Sequence, residues 1–312
     1  MDQEVIDIAD LDVVFLTYDE PKKEEFWVKI SNLVPWAKRV DGVIGSDTAH
    51  KAAAEVSGTE RFILIDGDNI PLPDFFGRSL VLTEANRNCI FRWKARNAIN
   101  GLVYGNGGLS CWTKKFVQEM KTHENSKGEV DTAVEFCFDK NYIPMHDCFS
   151  TTYPNNTPFQ AWRAGFREGV KLALLRGERL GRDRLFLDIP GPNLDRLSIW
   201  HSIGMDSKNG IWAILGSRMG TYMTALTDWN YKEVQNFALL ENMWNTSTLC
   251  HPSNNEELEK NIIDLGTSLT NQTSLRVMNF TKDQSRFFRH HYLGVHQNRG
   301  IMVTEAEFLR NE

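Results

Sequence analysis

A chain of 312 residues, 41% of them hydrophobic and 11% aromatic, is long and apolar enough for one large or two ordinary globular domains. No apolar run approaches the ~18 residues that a membrane-spanning helix needs, and the net charge of −6 argues against indiscriminate nucleic-acid binding. The acidic N-terminus is unlike a signal peptide, and the five cysteines lack CxxC spacing. We therefore expect a cytoplasmic protein with reduced thiols, no zinc site and no membrane contact.

The first seventy residues predict alternating strands and helices, as in an α/β nucleotide-binding domain. Strands are expected at 12–18, 37–43 and 62–65, and helices at 21–33 and 48–56. Asp47 is placed to cap the second helix. No GxGxxG follows the first strand, and no GxxxxGK[ST] phosphate loop is present. A nucleotide bound here would be held by strand ends and a metal ion.

The third predicted strand ends in Asp66-Gly67-Asp68, which delivers two carboxylates from the end of a buried strand. The glycine lets the backbone turn sharply, so both carboxylates can reach one ion. Hard oxygen ligands suit Mn²⁺ or Mg²⁺, which would neutralise charge on a departing nucleoside diphosphate. The alternative is an ordinary surface turn. The preceding strand–helix–strand pattern favours the metal site, because ligands bind at strand ends in such sheets.

Residues 92–105 combine cations and amides with aromatic rings, a composition suited to clamping a phosphate or a sugar. Gly105, Gly107 and Gly108 would let a ligand approach the backbone where a Cβ would block it. The alternative is a glycine-bulged hairpin without a ligand.

Four features occur in the order found in GT-A glycosyltransferases, and the chain resembles that family. They are Tyr18-Asp19-Glu20 after the first strand, His50-Lys51 on a helix, the Asp66-Gly67-Asp68 turn, and the segment 104–110 with its Gly-Gly pair. The resemblance implies an α/β, Rossmann-like GT-A core in which Asp66 and Asp68 hold Mn²⁺ or Mg²⁺ on a nucleotide sugar.

The resemblance also implies which residues meet a UDP-linked donor. The base and ribose would be contacted by Tyr18, Asp19 and Asp41, and a phosphate by Lys51. The alternative for Lys51 is a solvated position on the helix. The full set of expected nucleotide-sugar contacts is Tyr18, Asp19, Asp41, Lys51, Asp66, Arg96, Gly107 and Gly108.

GT-A enzymes carry an acidic residue near the position of Asp131, at a helix start. Asp131 and Glu135 are four residues apart on a predicted helix and share one face, and the helix dipole favours Asp131 near the N-terminus. An inverting enzyme needs one of them, Asp131 first and Glu135 second, to take the acceptor proton; a retaining enzyme needs no such base. His146 fits the third metal ligand of such folds, with His201 as the rival. Either histidine could instead be packed and hydrogen-bonded.

Past residue 155 the sequence predicts mostly helices, and part of this region is rich in basic residues. Arg163, Arg167 and Lys171 recur every four residues and form a stripe on one helical face. A solvated, salt-bridged helix is the alternative to contact with a polyanion. We expect a GT-A core at 1–155 and a mostly helical, acceptor-binding region at 156–312.

Three segments are similar to glycosyltransferases of tailed phages, and the likeness covers about a third of the chain. The segments are AHKAAA at 49–54, NGLVYG at 100–105 and QAWRAGFREG at 160–169. The resemblance implies transfer of a sugar, arabinose in some members, to 5-hydroxymethylcytosine of phage DNA in the host cytoplasm. A protein or cell-envelope acceptor and a non-catalytic nucleotide-binding module stay open as alternatives.

Overall fold

The structure, a computed structural model, describes residues 3–120 and 141–292. The chain divides into two compact units. Among the described residues, unit 1 takes 3–97, 103–120 and 141–153, and unit 2 takes 98–102 and 154–292. The predicted boundary at 155 lies beside the change of unit at 153–154. Asp131 and Glu135, predicted as catalytic, lie outside the described residues.

Unit 1 is built from strands and three helices. Its strands are β1 (Glu4–Asp7), β2 (Asp12–Thr17), β3 (Lys38–Asp41), β4 (Arg61–Asp66), β5 (Asn69–Pro71), β6 (Ser79–Leu82), β7 (Ile90–Asn97), β8 (Val103–Thr113) and β9 (Tyr142–Thr152). Its described helices are α1 (Lys23–Leu33), α2 (Ser46–Val56) and α3 (Lys114–Glu119). Seven strands form one mixed sheet in the order β3-β2-β4-β8-β7-β9-β5, and β1 pairs with β6. The predicted α/β class is confirmed.

Three parallel strands determine where the sheet can bind a ligand. β2 lies between β3 and β4 and is parallel to both. The chain leaves β2 through α1 to reach β3 on one side, then returns through α2 to β4 on the other. The strand order therefore reverses at β2, and the carboxyl ends of all three strands meet at one edge. Such a switch point forms a ligand-binding crevice in open α/β sheets.

Strands β2 and β4 are buried on both faces, which is why their sequences are almost continuously hydrophobic. Val13, Phe15 and Ile63 pack into one core cluster. Val14 of β2 and Phe62 of β4 both point to the other face of the sheet and pack into a second cluster. Burial of each such side chain contributes roughly 1.5–3 kcal/mol, so the register of these strands is firmly fixed.

Helix α2 begins at Ser46, two residues earlier than it would if Asp47 were its N-cap. Its N-cap residue is Gly45, which makes no side-chain hydrogen bond. Asp47 lies in the first turn instead, and its carboxylate accepts from Nζ of Lys51 at 2.6 Å. The capping prediction is wrong because the ion pair to Lys51 holds the carboxylate along the helix.

Unit 2 is mostly helical. Its described helices are α4 (Pro158–Leu172), α5 (Leu185–Asp188), α6 (Gly191–Ser202), α7 (Gly210–Leu226), α8 (Phe237–Thr246), α9 (Asn255–Thr273) and α10 (Lys282–Phe287). A short hairpin joins β10 (Leu174–Leu175) to β11 (Glu178–Arg179). Residues 205–209 form turns before α7. No helix among the described residues is long and apolar enough to cross a membrane.

Glycines bring α4 and α7 into backbone contact. A Cβ on Gly165 would collide with the carbonyl of Ala213, and a Cβ on Gly169 with the carbonyl of Ser217. A Cβ on Gly216 or Gly220 of α7 would likewise collide with a backbone carbonyl of α4. Four glycines spaced by four residues therefore let the two helices approach more closely than side chains would allow.

Candidate functional site

The switch point at the ends of β2, β3 and β4 gathers several sequence-predicted residues. Tyr18 and Asp19 follow β2, Asp41 ends β3, and Asp66 ends β4. Asp68 lies in the turn between β4 and β5. Because the three strands are parallel neighbours, these side chains share one edge of the sheet.

Glu20 lies beside the turn that carries Asp66 and Asp68. A Cβ built on Gly67 would lie 2.6 Å from Oε2 of Glu20, so the glutamate rests against the turn between the two aspartates. The backbone N–H of Tyr18 donates to Oε2 of Glu20 at 2.7 Å and holds it there. Burial, with the charges of Asp68 and Glu20, raises the pKa of Asp66 to about 8. The turn is therefore a place where a cation would relieve electrostatic repulsion.

The oxygen donors of this acidic turn fit Mn²⁺ or Mg²⁺. Mg²⁺ is usually bound by one or two carboxylates together with substrate phosphates, so a complete protein cage is not needed. Residues 3–120 and 141–292 contain no group of three or more His, Cys, Asp or Glu side chains that could hold a metal ion. His146 is exposed on β9 and does not join Asp66 and Asp68 in such a group.

His201, the rival to His146, is a packed histidine. It is buried on α6, and its Nε2 lies 2.9 Å from Oγ1 of Thr221. Burial and the nearby guanidinium of Arg218 lower its pKa to about 3. Its ring is therefore part of the helical core of unit 2.

A hydrogen-bonded network surrounds Asp41 at the end of β3. Thr17 donates from Oγ1 to Asp41 at 2.7 Å, and Nζ of Lys23 donates to both carboxylate oxygens at 2.8 and 3.0 Å. The hydrogen bond from Lys23 is the main reason that the pKa of Asp41 lies below its ordinary value. Tyr18, whose carbonyl accepts from Lys23, is 47% exposed. An anchored carboxylate beside an exposed ring suits a ribose and a base.

Sequence reasoning did not select Glu20, Lys23 or Thr17 as site residues. Thr17 ends β2, and Glu20 and Lys23 follow it by three and six residues. These positions were a usable signal, because ligands bind where parallel strands terminate. Lys51, which was selected, is already paired with Asp47 at 2.6 Å.

The glycine-rich segment lies on β8, next to β4 and β7. A Cβ on Gly108 would lie 2.6 Å from Nδ2 of Asn69, so glycine is required for the buried amide to fit. Gly107 belongs to the same strand, and Arg96 is half-buried on β7. These residues share a sheet with the acidic turn, as the predicted donor pocket requires.

The basic stripe on α4 has partners within unit 2. Arg163 stacks on the rings of Phe159 and Phe237, and Arg167 on Phe237, with distances of 4.8–5.3 Å to the ring centroids. Nζ of Lys171 lies 3.2 Å from Oε1 of Glu168. Phe237 is the first residue of α8 and is 47% exposed.

Comparisons with known proteins add little to this geometry. No protein-family model and no curated protein matches the chain. Among solved structures, HddC from Yersinia pseudotuberculosis aligns over 45% of this chain and 71% of its own, with 15% sequence identity and a TM-score of 0.28. A similarity at that level carries no argument about fold or activity.

Proposed function

We propose that the chain is a metal-dependent glycosyltransferase of the GT-A type that moves a sugar from a nucleotide sugar to an acceptor hydroxyl. The observation that carries the proposal is the acidic turn at the switch point, where Asp66 and Asp68 follow a buried strand and Glu20 rests against the glycine between them. Paired carboxylates at a strand end suit a dication bound to a diphosphate.

Each part of the site has a role in this proposal. Asp66 and Asp68 would hold Mn²⁺ or Mg²⁺, which supplies positive charge to the departing diphosphate. Tyr18 and Asp41 would contact the base and ribose of the donor. In the transfer, the bond between the anomeric carbon and the phosphate oxygen breaks, and a bond from the acceptor oxygen to that carbon forms. Asp131 or Glu135 would take the acceptor proton if the reaction inverts the anomeric centre.

For the acceptor we propose 5-hydroxymethylcytosine in phage DNA, with arabinose as one possible sugar. The arginines of α4 support this choice, because guanidinium groups stacked on an exposed ring can contact phosphates and unstacked bases. A flipped base would expose the hydroxymethyl group to the donor.

The test is mass spectrometry of nucleosides from hydroxymethylated duplex DNA incubated with the full chain, Mn²⁺ and a panel of sugar nucleotides. We expect a mass increase of one sugar on 5-hydroxymethylcytosine with one donor, and none when Asp68→Asn replaces the wild-type chain. If sugar-nucleotide hydrolysis occurs without DNA glycosylation, the glycosyl-transfer proposal survives with another acceptor. If neither occurs with any donor, the proposal fails.

A further inference from the structure

Three cations form a row across one face of the unit 1 sheet. Arg92, Lys94 and Arg96 alternate along β7 and are each half-buried. Phe91 and Trp93, which point to the other face, pack in the hydrophobic core. We call Arg92, Lys94 and Arg96 the cation row.

Two members of the row form no ion pair within the described part of the chain. Among the described residues, no carboxylate forms an ion pair with Arg92 or Lys94, and Nε of Arg92 is closed to solvent without a hydrogen-bond partner. The register of β7 shifts between Arg92 and Lys94, and two positions along a strand span at most about 7 Å, which is less than the Debye length of about 8 Å at physiological salt. Their charges therefore repel each other unless an anion lies between them.

An aromatic ring and an exposed glycine lie beside the row. The ring of Tyr142 lies 4.9 Å from the guanidinium carbon of Arg92 and fixes the plane of that group. Gly105 is opposite Lys94 on β8 and is exposed. A Cβ there would meet Nη1 of Arg92 at 3.6 Å, an ordinary contact, so packing does not require the glycine. The missing side chain leaves room for a ligand next to two cations.

The row faces the same side of the sheet as the acidic turn. Ser110 on β8 is opposite both Arg92 and Leu64, and directly opposed residues point to one face. Asp66 follows Leu64 by two residues and therefore shares that face. Two strand spacings, about 10 Å, separate β4 from β7. A ligand that is bound at Asp66 and is about 10 Å long would therefore reach the cation row.

We propose that the cation row is a phosphate-binding subsite of unit 1. Three cations on a planar sheet surface suit a group with two or more negative oxygens, and arginine matches phosphate geometry with paired donors. The phosphate has two possible sources, the diphosphate of the donor and the backbone of a nucleic-acid acceptor. The placement beside the acidic turn rests on the proposed function, whereas phosphate binding itself does not.

The experiment compares Lys94→Met and Arg92→Gln with Arg78→Gln in the full chain. Arg78 is the matched control, because it also stacks on an aromatic ring, Phe149, at 5.2 Å but lies outside the row. Calorimetric titrations use pyrophosphate without metal, UDP with Mn²⁺, and hydroxymethylated duplex DNA. Urea unfolding establishes that each variant is folded. If Arg92→Gln does not fold, the test rests on Lys94→Met.

We expect pyrophosphate to bind about tenfold more weakly to each row variant, since a charge-assisted contact is lost, and Arg78→Gln to bind like the wild type. Weaker binding of UDP identifies the donor diphosphate as the source, and weaker binding of the duplex identifies the nucleic-acid backbone. If all three affinities equal those of Arg78→Gln, the subsite is refuted. A wild-type chain that binds pyrophosphate through the row but binds no nucleotide would refute the proposed donor site and leave the phosphate subsite standing.

Discussion

The carboxylate of Glu20 lies against Gly67, the residue between Asp66 and Asp68, and occupies the space that a side chain at position 67 would fill. This contact brings a residue beyond the end of β2 into the turn after β4. The glycine of the Asp-Gly-Asp sequence therefore has a steric role, since it leaves space for Glu20, as well as a conformational one.

Gly67→Ala should therefore weaken metal binding without unfolding the protein. The new methyl group must displace the end of the flexible Glu20 side chain, which costs about 1 kcal/mol or less. Moving one negative charge away from the turn should raise the dissociation constant for Mn²⁺ roughly threefold to tenfold. Calorimetry and urea unfolding measure both quantities. Gly77→Ala, where a Cβ would meet no atom within 4 Å, should leave both unchanged; equal Mn²⁺ affinity in the two variants would contradict the role of Glu20.

Asp68→Asn should separate stability from activity. The substitution keeps the side-chain shape and removes a charge that helps to raise the pKa of Asp66 to about 8. We expect the free energy of unfolding at pH 7 to stay the same or rise by up to about 1 kcal/mol, because repulsion decreases. Sugar transfer should fall at least about 100-fold. Transfer by the wild-type chain that persists in excess chelator would refute the metal-dependent mechanism.

Gly169→Ala should destabilise unit 2 severely. Its Cβ would collide with the carbonyl of Ser217 on α7, and backbone cannot move aside as a side-chain end can. We expect a loss of about 3 kcal/mol or more in unfolding free energy. Gly191→Ala, where a Cβ would meet nothing within 4 Å, is the control and should be nearly neutral. A loss below about 1 kcal/mol for Gly169→Ala would mean that α4 and α7 pack less closely than described.

Stability should fall between pH 7 and pH 5 through His201. Burial, with the charge of Arg218, lowers the pKa of His201 to about 3 in the folded protein. The unfolded chain has an ordinary value near 6.5 and so binds a proton that the folded chain does not. This difference costs about 2 kcal/mol at pH 5, and the contribution is fully restored above about pH 7.

His201→Gln removes the titrating group and should show a correspondingly smaller pH dependence of urea unfolding. His251→Gln replaces an exposed histidine of unit 2 and should keep the wild-type dependence. If His201→Gln and the wild type lose the same stability between pH 7 and pH 5, other groups are responsible.

The strands around the site were predictable because their pattern is local. β2, β3 and β4 begin and end within two residues of the positions predicted from hydrophobic runs and turn residues. The approach of Glu20 to Gly67 was not predictable from periodicity, since it depends on which strands become neighbours. The reversal of strand order at β2 brings these two residues together across more than forty positions of sequence.

In unit 2 the stripe was predictable but its surroundings were not. The four-residue spacing of Arg163 and Arg167 placed both on one face of α4. The exposed ring between them comes from Phe237, at the start of another helix, and only tertiary packing reveals it. The pairing of Lys171 with Glu168 was visible in sequence, because residues three apart on a helix are neighbours.

These differences give the three cations of the stripe unequal expected contributions to DNA binding. Nζ of Lys171 is paired with Glu168, whereas the guanidinium groups of Arg163 and Arg167 stack on aromatic rings, an arrangement that suits contact with a phosphate. Counterion release lowers the log-log salt slope by about 0.9 for each phosphate contact. We therefore expect Arg163→Ala and Arg167→Ala each to flatten the slope by about that amount, and Lys171→Ala to change it by much less.

The measurement is a titration of hydroxymethylated duplex against each variant at several salt concentrations, with UDP affinity measured in parallel. The arginine variants should weaken binding to all duplex sequences alike, because phosphate contacts are independent of base identity, and should leave UDP affinity unchanged. Lys260→Ala, an exposed cation on α9, serves as the control for general charge effects. A slope that is unchanged in both arginine variants would exclude α4 from DNA contact, and the acceptor of the proposed glycosyltransferase would then be sought among proteins or glycans.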